Sequence, residues 1–372
     1  MSEVFVGAFN PVALDMLESS SGAGAKVQYE IIRAISAKTT TLTSLVMQEV
    51  RTWPFSKFYV KGKCIDGINF LPLVNLFFLK KIFFAIYVLI YLFVYKPKTV
   101  YFYNTSSSMN VCMFLLGFLS RKQVKVLIIQ DLHSLKKLNL ENCYRIDKVI
   151  EYYCCKLTRY SFDYCIPITK QLGAHLNFPD SRCFPFLGGM TGEIPNEPSV
   201  RNFAVFAGAL EKYNGLDFLL DAWTRLDVKM ELHIFGSGRL NAVAMSYADN
   251  NENIIYHGFK SPLIVNKYIR TASVNFCFRY SRGIDEEFFF PSKFFDVIIN
   301  RGLVVCNRFK NLPEDFEKYI YFVDDNFTEL SSIVQRSQKL PSFCDERVEL
   351  AIQNYSWPVM LESLDQFLGI RL

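Results

Sequence analysis

The chain is poor in the residues that build metal and redox sites. It has only four histidines, His133, His175, His233 and His257, and they fall in no ligand spacing with its ten cysteines. No two cysteines form a C-x-x-C pair, and the adjacent Cys154 and Cys155 are poorly placed to bridge each other. A structural zinc site and a disulfide scaffold are both disfavoured, and reduced thiols in a cytoplasmic protein are expected. No basic, apolar opening reads as a secretory leader, because Gly7 to Pro11 interrupts any such run. The longest uncharged apolar run, Ile82 to Tyr95, stops short of the roughly 18–20 residues that cross a bilayer. A third glycine after Gly236-Ser237-Gly238 is missing at the dinucleotide spacing, which speaks against a dehydrogenase. Basic clusters occur, but none sits in a nucleic-acid module, so no nucleic-acid partner is expected.

What the chain has is apolar and unevenly charged. Hydrophobic residues make up 51% of the 372, with 35 Phe and 20 Tyr, which suffices for two domain cores. Up to Met190 there are 22 Lys+Arg against 12 Asp+Glu; beyond it there are 19 against 24. A basic, aromatic front half suits an anionic substrate or an anionic membrane surface. Gly188 to Pro198, rich in Gly and Pro, is the expected linker.

Strands alternate with helices on both sides of that linker. Val4-Phe5-Val6-Gly7 reads as a strand, Ser19 to Ala25 as a small-residue loop, and Val27 to Ile35 as a helix. The run Ile82 to Tyr95, flanked by Lys80-Lys81 and Lys96-Pro97-Lys98, fits either a helix buried on a sheet or a face lying in a membrane interface. Val124 to Ile129 is a β run ending in Gln130-Asp131-Leu132-His133; polar residues at such an end place Asp131 and His133 as cleft candidates. Asn104, after Tyr101-Phe102-Tyr103, lies at another strand end. After the linker come strands at Phe203–Gly208, Met230–Phe235, Ile254–Gly258 and Val274–Phe278, which argues for a parallel, doubly wound sheet. Phe290-Pro291-Ser292-Lys293-Phe294-Phe295-Asp296 reads as the start of a helix running from Pro291 to Arg301. Free N–H groups there suit an anion, and Ser292, Asp296 and Asn300 are spaced to share one face.

These motifs, in this order, resemble the GT-B architecture, and residues 203–305 resemble glycosyltransferase family 4 of the bacterial surface-polysaccharide type. Gly208-Ala209-Leu210-Glu211-Lys212-Tyr213-Asn214-Gly215-Leu216-Asp217 resembles the family's first loop of the second domain. Phe235-Gly236-Ser237-Gly238 resembles its Gly-x-Gly turn, and His257-Gly258-Phe259 the turn that receives the nucleobase. Arg279, then Pro291-Ser292-Lys293 and Asp296, resembles its phosphate and ribose site; Tyr355-Ser356-Trp357 resembles the closing Ser-Trp. The sequence departs from the family at Ala209 and Asn214, where a cation is usual, and at Phe288, where the first of two paired glutamates would fall.

The resemblance implies an α/β chain of two Rossmann-like domains facing each other across a cleft. The first, acceptor-side domain covers 1–187, with a helix from 350–372 packing back on it; the nucleotide-sugar domain covers 200–349. It further implies a retaining, metal-independent glycosyltransferase with no cofactor beyond its donor, a nucleoside diphosphate sugar. Asp131, His133, Arg279 and Lys293 are the expected catalytic residues. Gly22, Gly24, Gly208, Lys212, Asn214, Gly236, Ser237, Gly258, Phe259, Arg282, Pro291, Ser292 and Asp296 are expected to line the donor site. The acceptor would be a glycan or lipid-linked glycan, and the protein would sit peripherally at the inner face of the cytoplasmic membrane. A sugar-nucleotide epimerase of the same shape and a non-catalytic nucleotide-binding scaffold remain the alternatives.

Overall fold

The computed structural model describes residues 2–10, 22–39, 41–77, 79–119, 123–130, 132, 146–190, 201–226, 229–280, 286–291, 293–337 and 345–369. The chain divides into two compact units. The first comprises Met1–Leu187, Gly283–Phe289 and Trp357–Leu372; the second comprises Gly188–Arg282 and Phe290–Ser356.

The strands of the first unit are β1 (Glu3–Phe9), β2 (Leu42–Gln48), β3 (Tyr59–Val60), β4 (Lys63–Ile65), β5 (Ile68–Leu71), β6 (Leu73–Val74), β7 (Thr99–Tyr103), β8 (Val124–Ile129) and β9 (Tyr164–Pro167). They form a seven-stranded sheet of order β4-β5-β2-β1-β7-β8-β9, with β3 and β6 pairing separately. All neighbours in the large sheet run parallel except β4 on the edge. The parallel strands, counted in chain order, lie 3-2-1-4-5-6, the doubly wound order. Their apolar runs follow from burial on both faces: every residue of β7 is buried.

One face of this sheet is covered by the helix Gly22–Lys38, whose Ala25, Ile31, Ile32 and Ile35 join the core. The helix Trp357–Leu368 packs beside it, presenting Trp357, Met360, Leu361 and Leu364 at helical spacing to the same core. Buried Glu30 accepts a hydrogen bond from Trp357 Nε1 at 2.7 Å, and Lys38 pairs with Asp365. The other face carries the helices Leu79–Tyr95, Ser107–Leu119, Ile146–Cys155 and Thr158–Ser161, packed side by side.

The second unit repeats the plan with β10 (Arg201–Ala207), β11 (Glu231–Phe235), β12 (Ile254–Gly258), β13 (Ala272–Cys277), β14 (Leu303–Cys306) and β15 (Ile320–Phe322). Their order, β12-β11-β10-β13-β14-β15, is again 3-2-1-4-5-6, and every pair is parallel. Its core centres on Trp223, Phe276, Leu232 and Val305.

Two sequence expectations are corrected here. Gly22 and Gly24 do not lie in a loop: the helix begins at Gly22. Gln28, buried at 3% exposure, explains the capture. Its amide exchanges hydrogen bonds with Ala8 N and O, both 2.9 Å, and also donates to Gly24 O at 3.3 Å, tying the first helical turn to the end of β1. The helix expected over Pro291–Arg301 is shorter, Lys293–Ile298. Asn300 is buried beyond its end, where its carbonyl accepts from Arg347, so it does not share an exposed face with Asp296. The run Ile82 to Tyr95 sits in the helix Leu79–Tyr95, whose Ala85, Val88 and Leu92 are buried while Phe83, Tyr87 and Ile90 are exposed.

Candidate functional site at the strand ends of the second domain

In a 3-2-1-4-5-6 sheet, the loops leaving the first and fourth strands turn to opposite faces, and a crevice opens at their carboxyl ends. In the second domain those strands are β10 and β13. The loops leaving β10, β11 and β12 are laced together by main-chain bonds. Gly208 N donates to Phe235 O at 2.9 Å, Leu210 N to Ser237 O at 3.0 Å, and Gly236 N to Gly258 O at 2.9 Å. This close approach needs glycine. Gly236 has φ +133°, and a Cβ there would fall 1.7 Å from Gly208 O; at Gly238 it would fall 2.5 Å from Leu210 O.

Lys293 enters this platform from the other side of the switch point. Its Nζ lies 3.4 Å from where a Cβ on Gly208 would sit, and Asn214 Nδ2 lies 3.9 Å from the same point. Asn214 is held by a 2.7 Å bond from its Nδ2 to Ala209 O. Gly208 and Asn214, expected to line the donor site, and Lys293, expected to be catalytic, thus lie close together. Lys212 is exposed in the short helical turn Lys212–Asn214 that leads into them.

Arg279 follows β13. Its guanidinium carbon stands 4.7 Å from the centre of the Tyr213 ring, a cation–π placement that helps fix the position of the charge. Its backbone is held on both sides by Asn307, which accepts from Arg279 N at 2.7 Å and donates to Arg279 O at 2.8 Å. Tyr280 N donates to Tyr213 O at 2.7 Å, so the loop after β10 and the end of β13 are joined directly. Tyr213 and Asn307 escaped the sequence reading. The one signal for Asn307 was its place directly after β14, the same logic that singled out Asn104. Asn104 takes up a positive φ of 40° in the first domain and accepts from Gln130 N at 3.0 Å.

The remaining candidates distribute as follows. Asp296 is half-buried in the first turn of the helix Lys293–Ile298, and Pro291 O accepts from Phe294 N at 2.9 Å as that helix opens. Ser237 is exposed beside Gly236. Gly258 has φ +69° and Phe259 next to it is 47% exposed, a turn open for stacking. Behind that turn, His257 Nε2 lies 2.8 Å from His233 Nδ1, and His233 Nε2 lies 3.0 Å from Glu231 Oε2. The His257 ring stacks on Phe235 at 4.3 Å. Burial, then His233 and Lys260, holds His257 below the usual histidine range, so the neutral ring is favoured. Gly22 and Gly24 belong to the first unit, in the helix described above. Asp131, His133, Arg282 and Ser292 lie outside the described residues.

At the position where the resemblance places a glutamate stands Phe288, 8% exposed, with its ring 4.8 Å from that of His175. The carbonyl of Glu287 accepts from Thr169 Oγ1 at 2.6 Å. This short segment is thus fastened within the first unit.

A glycine-lined platform with an ammonium over it and a guanidinium at its edge is chemically suited to a polyanion such as a diphosphate. Solved structures carry the same architecture. A sucrose-phosphate synthase from Thermosynechococcus elongatus superposes with a TM-score of 0.68 at 14% identity, with each chain covered over 100% of its length. Anabaena HepE in complex with UDP gives 0.63 at 11% identity, and the lipopolysaccharide outer core galactosyltransferase WaaB in its apo form gives 0.61 at 13%; both cover 100% of each chain. The chain has the GT-B fold. No family model and no curated protein matches the sequence. The GT-B likeness spans both sheets, so each unit of the chain is one Rossmann-like domain of that fold.

Proposed function

We propose that this protein is a glycosyltransferase related to family 4, moving a sugar from a nucleoside diphosphate sugar to a hydroxyl of a glycan. The observation that carries this reading is the meeting of Gly208, Asn214 and Lys293 at the switch point of the second sheet, with Arg279 poised on Tyr213 beside it. Breaking the glycosidic bond builds negative charge on the departing diphosphate. Cations already fixed at that spot stabilise the transition state more than the bound donor. Lys293 and Arg279 take this role, Asp296 accepts from the ribose hydroxyls, and the Gly258–Phe259 turn receives the base.

In this reading the protein's own cations serve the diphosphate, no metal is needed, and the sugar is transferred with retention of configuration. Asp131 or His133 orients the acceptor hydroxyl or the donor sugar. The acceptor is a lipid-linked oligosaccharide of a bacterial surface polysaccharide, such as an O-antigen of lipopolysaccharide, worked on at the inner face of the cytoplasmic membrane. A second reading draws on Phe288, which puts a buried ring where a sugar-binding carboxylate would be useful. It makes the protein a nucleotide-binding scaffold without turnover.

The deciding experiment screens the purified chain against UDP-, GDP-, ADP- and dTDP-sugars by thermal shift, then follows the stabilising donor with lipid-linked acceptors by mass spectrometry. A ligand at a hundred times its Kd should add about 2.7 kcal/mol of stability. Sugar appearing on an acceptor supports transfer. Isomerised donor without acceptor would establish an epimerase, and binding without any turnover would establish the scaffold.

A further inference from the structure

The helix Leu79–Tyr95 is apolar on two faces. Inwards, Ala85, Val88 and Leu92 are fully buried. Outwards, Phe83, Tyr87, Ile90 and Val94 are 46–60% exposed, at the spacing of a second continuous stripe. Monomeric proteins rarely leave such a stripe in water without a use for it. It continues onto the neighbouring helix Ser107–Leu119 through Val111 and Leu115, spaced by four.

Aromatic side chains extend the stripe at the helix start. Trp53, Phe55, Phe58 and Tyr59 are exposed, Phe55 at 81%. Their loop is built, not frayed. The buried amide of Asn75 donates to Arg51 O at 2.7 Å and to Lys57 O at 3.0 Å, while Asn75 N donates to Phe58 O and Trp53 N to Asn75 O. Asn75 lies four residues before the helix, so one buried side chain fixes the loop against it.

Lysines predominate around this surface, with the carboxylates Glu49 and Glu151 beside Lys80 and Lys81 at the helix start. No Asp or Glu occurs between Asp66 and Asp131. Lys96 and Lys98 are exposed past the end of the helix, and Lys57, Lys61 and Lys63 beside its start. Lys81 instead pairs with Glu151, and Lys80 donates to Val50 O at 3.0 Å. Apolar and aromatic side chains flanked by lysines match a bilayer interface with anionic headgroups, where rings sit at the headgroup level and cations at its surface. A second copy docking through this face would set its lysines against each other, a like-charge opposition that costs affinity. No described helix is long and apolar enough to cross a membrane, so the stripe would lie along the surface.

We infer that the face formed by Phe83, Tyr87, Ile90 and Val94 with the Trp53–Tyr59 loop docks the first domain onto an anionic lipid surface. Docking needs no nucleotide sugar, so its test is independent of the transfer reaction. The full chain is floated with vesicles of phosphatidylcholine alone and of phosphatidylcholine with phosphatidylglycerol. Binding to the anionic vesicles should exceed binding to the neutral ones by about tenfold or more, and should weaken with salt. The triple variant F83S/Y87S/I90S should lose about tenfold or more of it, while Leu263→Ser, at an 83% exposed site in the second domain, should lose none. Thermal melting checks that the triple variant is folded; should it not melt cooperatively, F55S/K57E takes its place in the same assay. Failure to float with anionic vesicles, equal binding to both kinds, or a dimer in sedimentation that the triple variant dissolves would each overturn the inference.

Discussion

The two domains share a strand order and differ in where they leave chemistry exposed. The second domain concentrates it at strand ends: glycine-laced loops, Lys293, Arg279 on Tyr213. The first displays it on the outer side of its helices, with Phe83, Ile90 and Phe55 in water and lysines around them. The topology is indifferent to this choice. In the helix Leu79–Tyr95 the fold asks only for Ala85, Val88 and Leu92 on the sheet side, which leaves the opposite stripe free for another purpose. Likewise the second sheet needs Phe206 and Phe276 in its core, and Phe278 directly after β13, but not the next residue, Arg279.

The sharpest way to break the second pattern is Gly236→Ala. A Cβ would meet Gly208 O at 1.7 Å on a backbone at φ +133°, so about 3 kcal/mol or more of stability should go. Urea unfolding would read it, and donor binding should vanish with it. Lys293→Ala should leave melting nearly unchanged and cut kcat/KM by about a hundredfold, about 2.7 kcal/mol of lost transition-state stabilisation; Lys293→Arg should recover part of it. In the first domain, Trp357→Phe keeps the ring in the core but removes the donor to buried Glu30, at a cost of about 1–3 kcal/mol in denaturant unfolding and no loss of donor affinity.

The smallest effect expected is on pH dependence. His257 binds its proton less tightly when folded than when unfolded, so the unfolded chain takes up more protons as pH falls below about 6.5. Stability from this group is complete above that value and declines through the more acid range. His257→Gln should flatten that part of the melting-temperature profile between pH 7 and pH 5. An unchanged profile would mean that His257 does not carry the dependence.

Much of this was legible in the residues. The apolar runs of centrally placed strands announced themselves, and Val124–Ile129 was read at its observed bounds. What misled was local preference overruled by distant contacts. Glycines at 22 and 24 argue for a loop, yet the Gln28 amide captures them into a helix. Helical spacing continues to Arg301, yet Arg347 draws the Asn300 carbonyl away. Tyr213 beneath Arg279 could not be read at all, because nothing in either segment signals a contact that only the pairing of two strand ends creates. The second stripe of the helix Leu79–Tyr95 was half-legible: the sequence showed an apolar run, but only packing divides it into a face for the sheet and a face for something else.

The return of Trp357 to the first domain has a consequence for how the molecule is made. Residues 3–187 leave the ribosome long before residues 357–368 exist, so the early sheet waits with the Glu30 carboxylate and the apolar groove beside Ile31 and Ile35 unroofed. Translation must run through the whole second domain before that roof arrives. A chain stalled within the second domain would therefore offer chaperones and proteases a nearly complete but uncovered core, and the first domain is finished only after the second has been made.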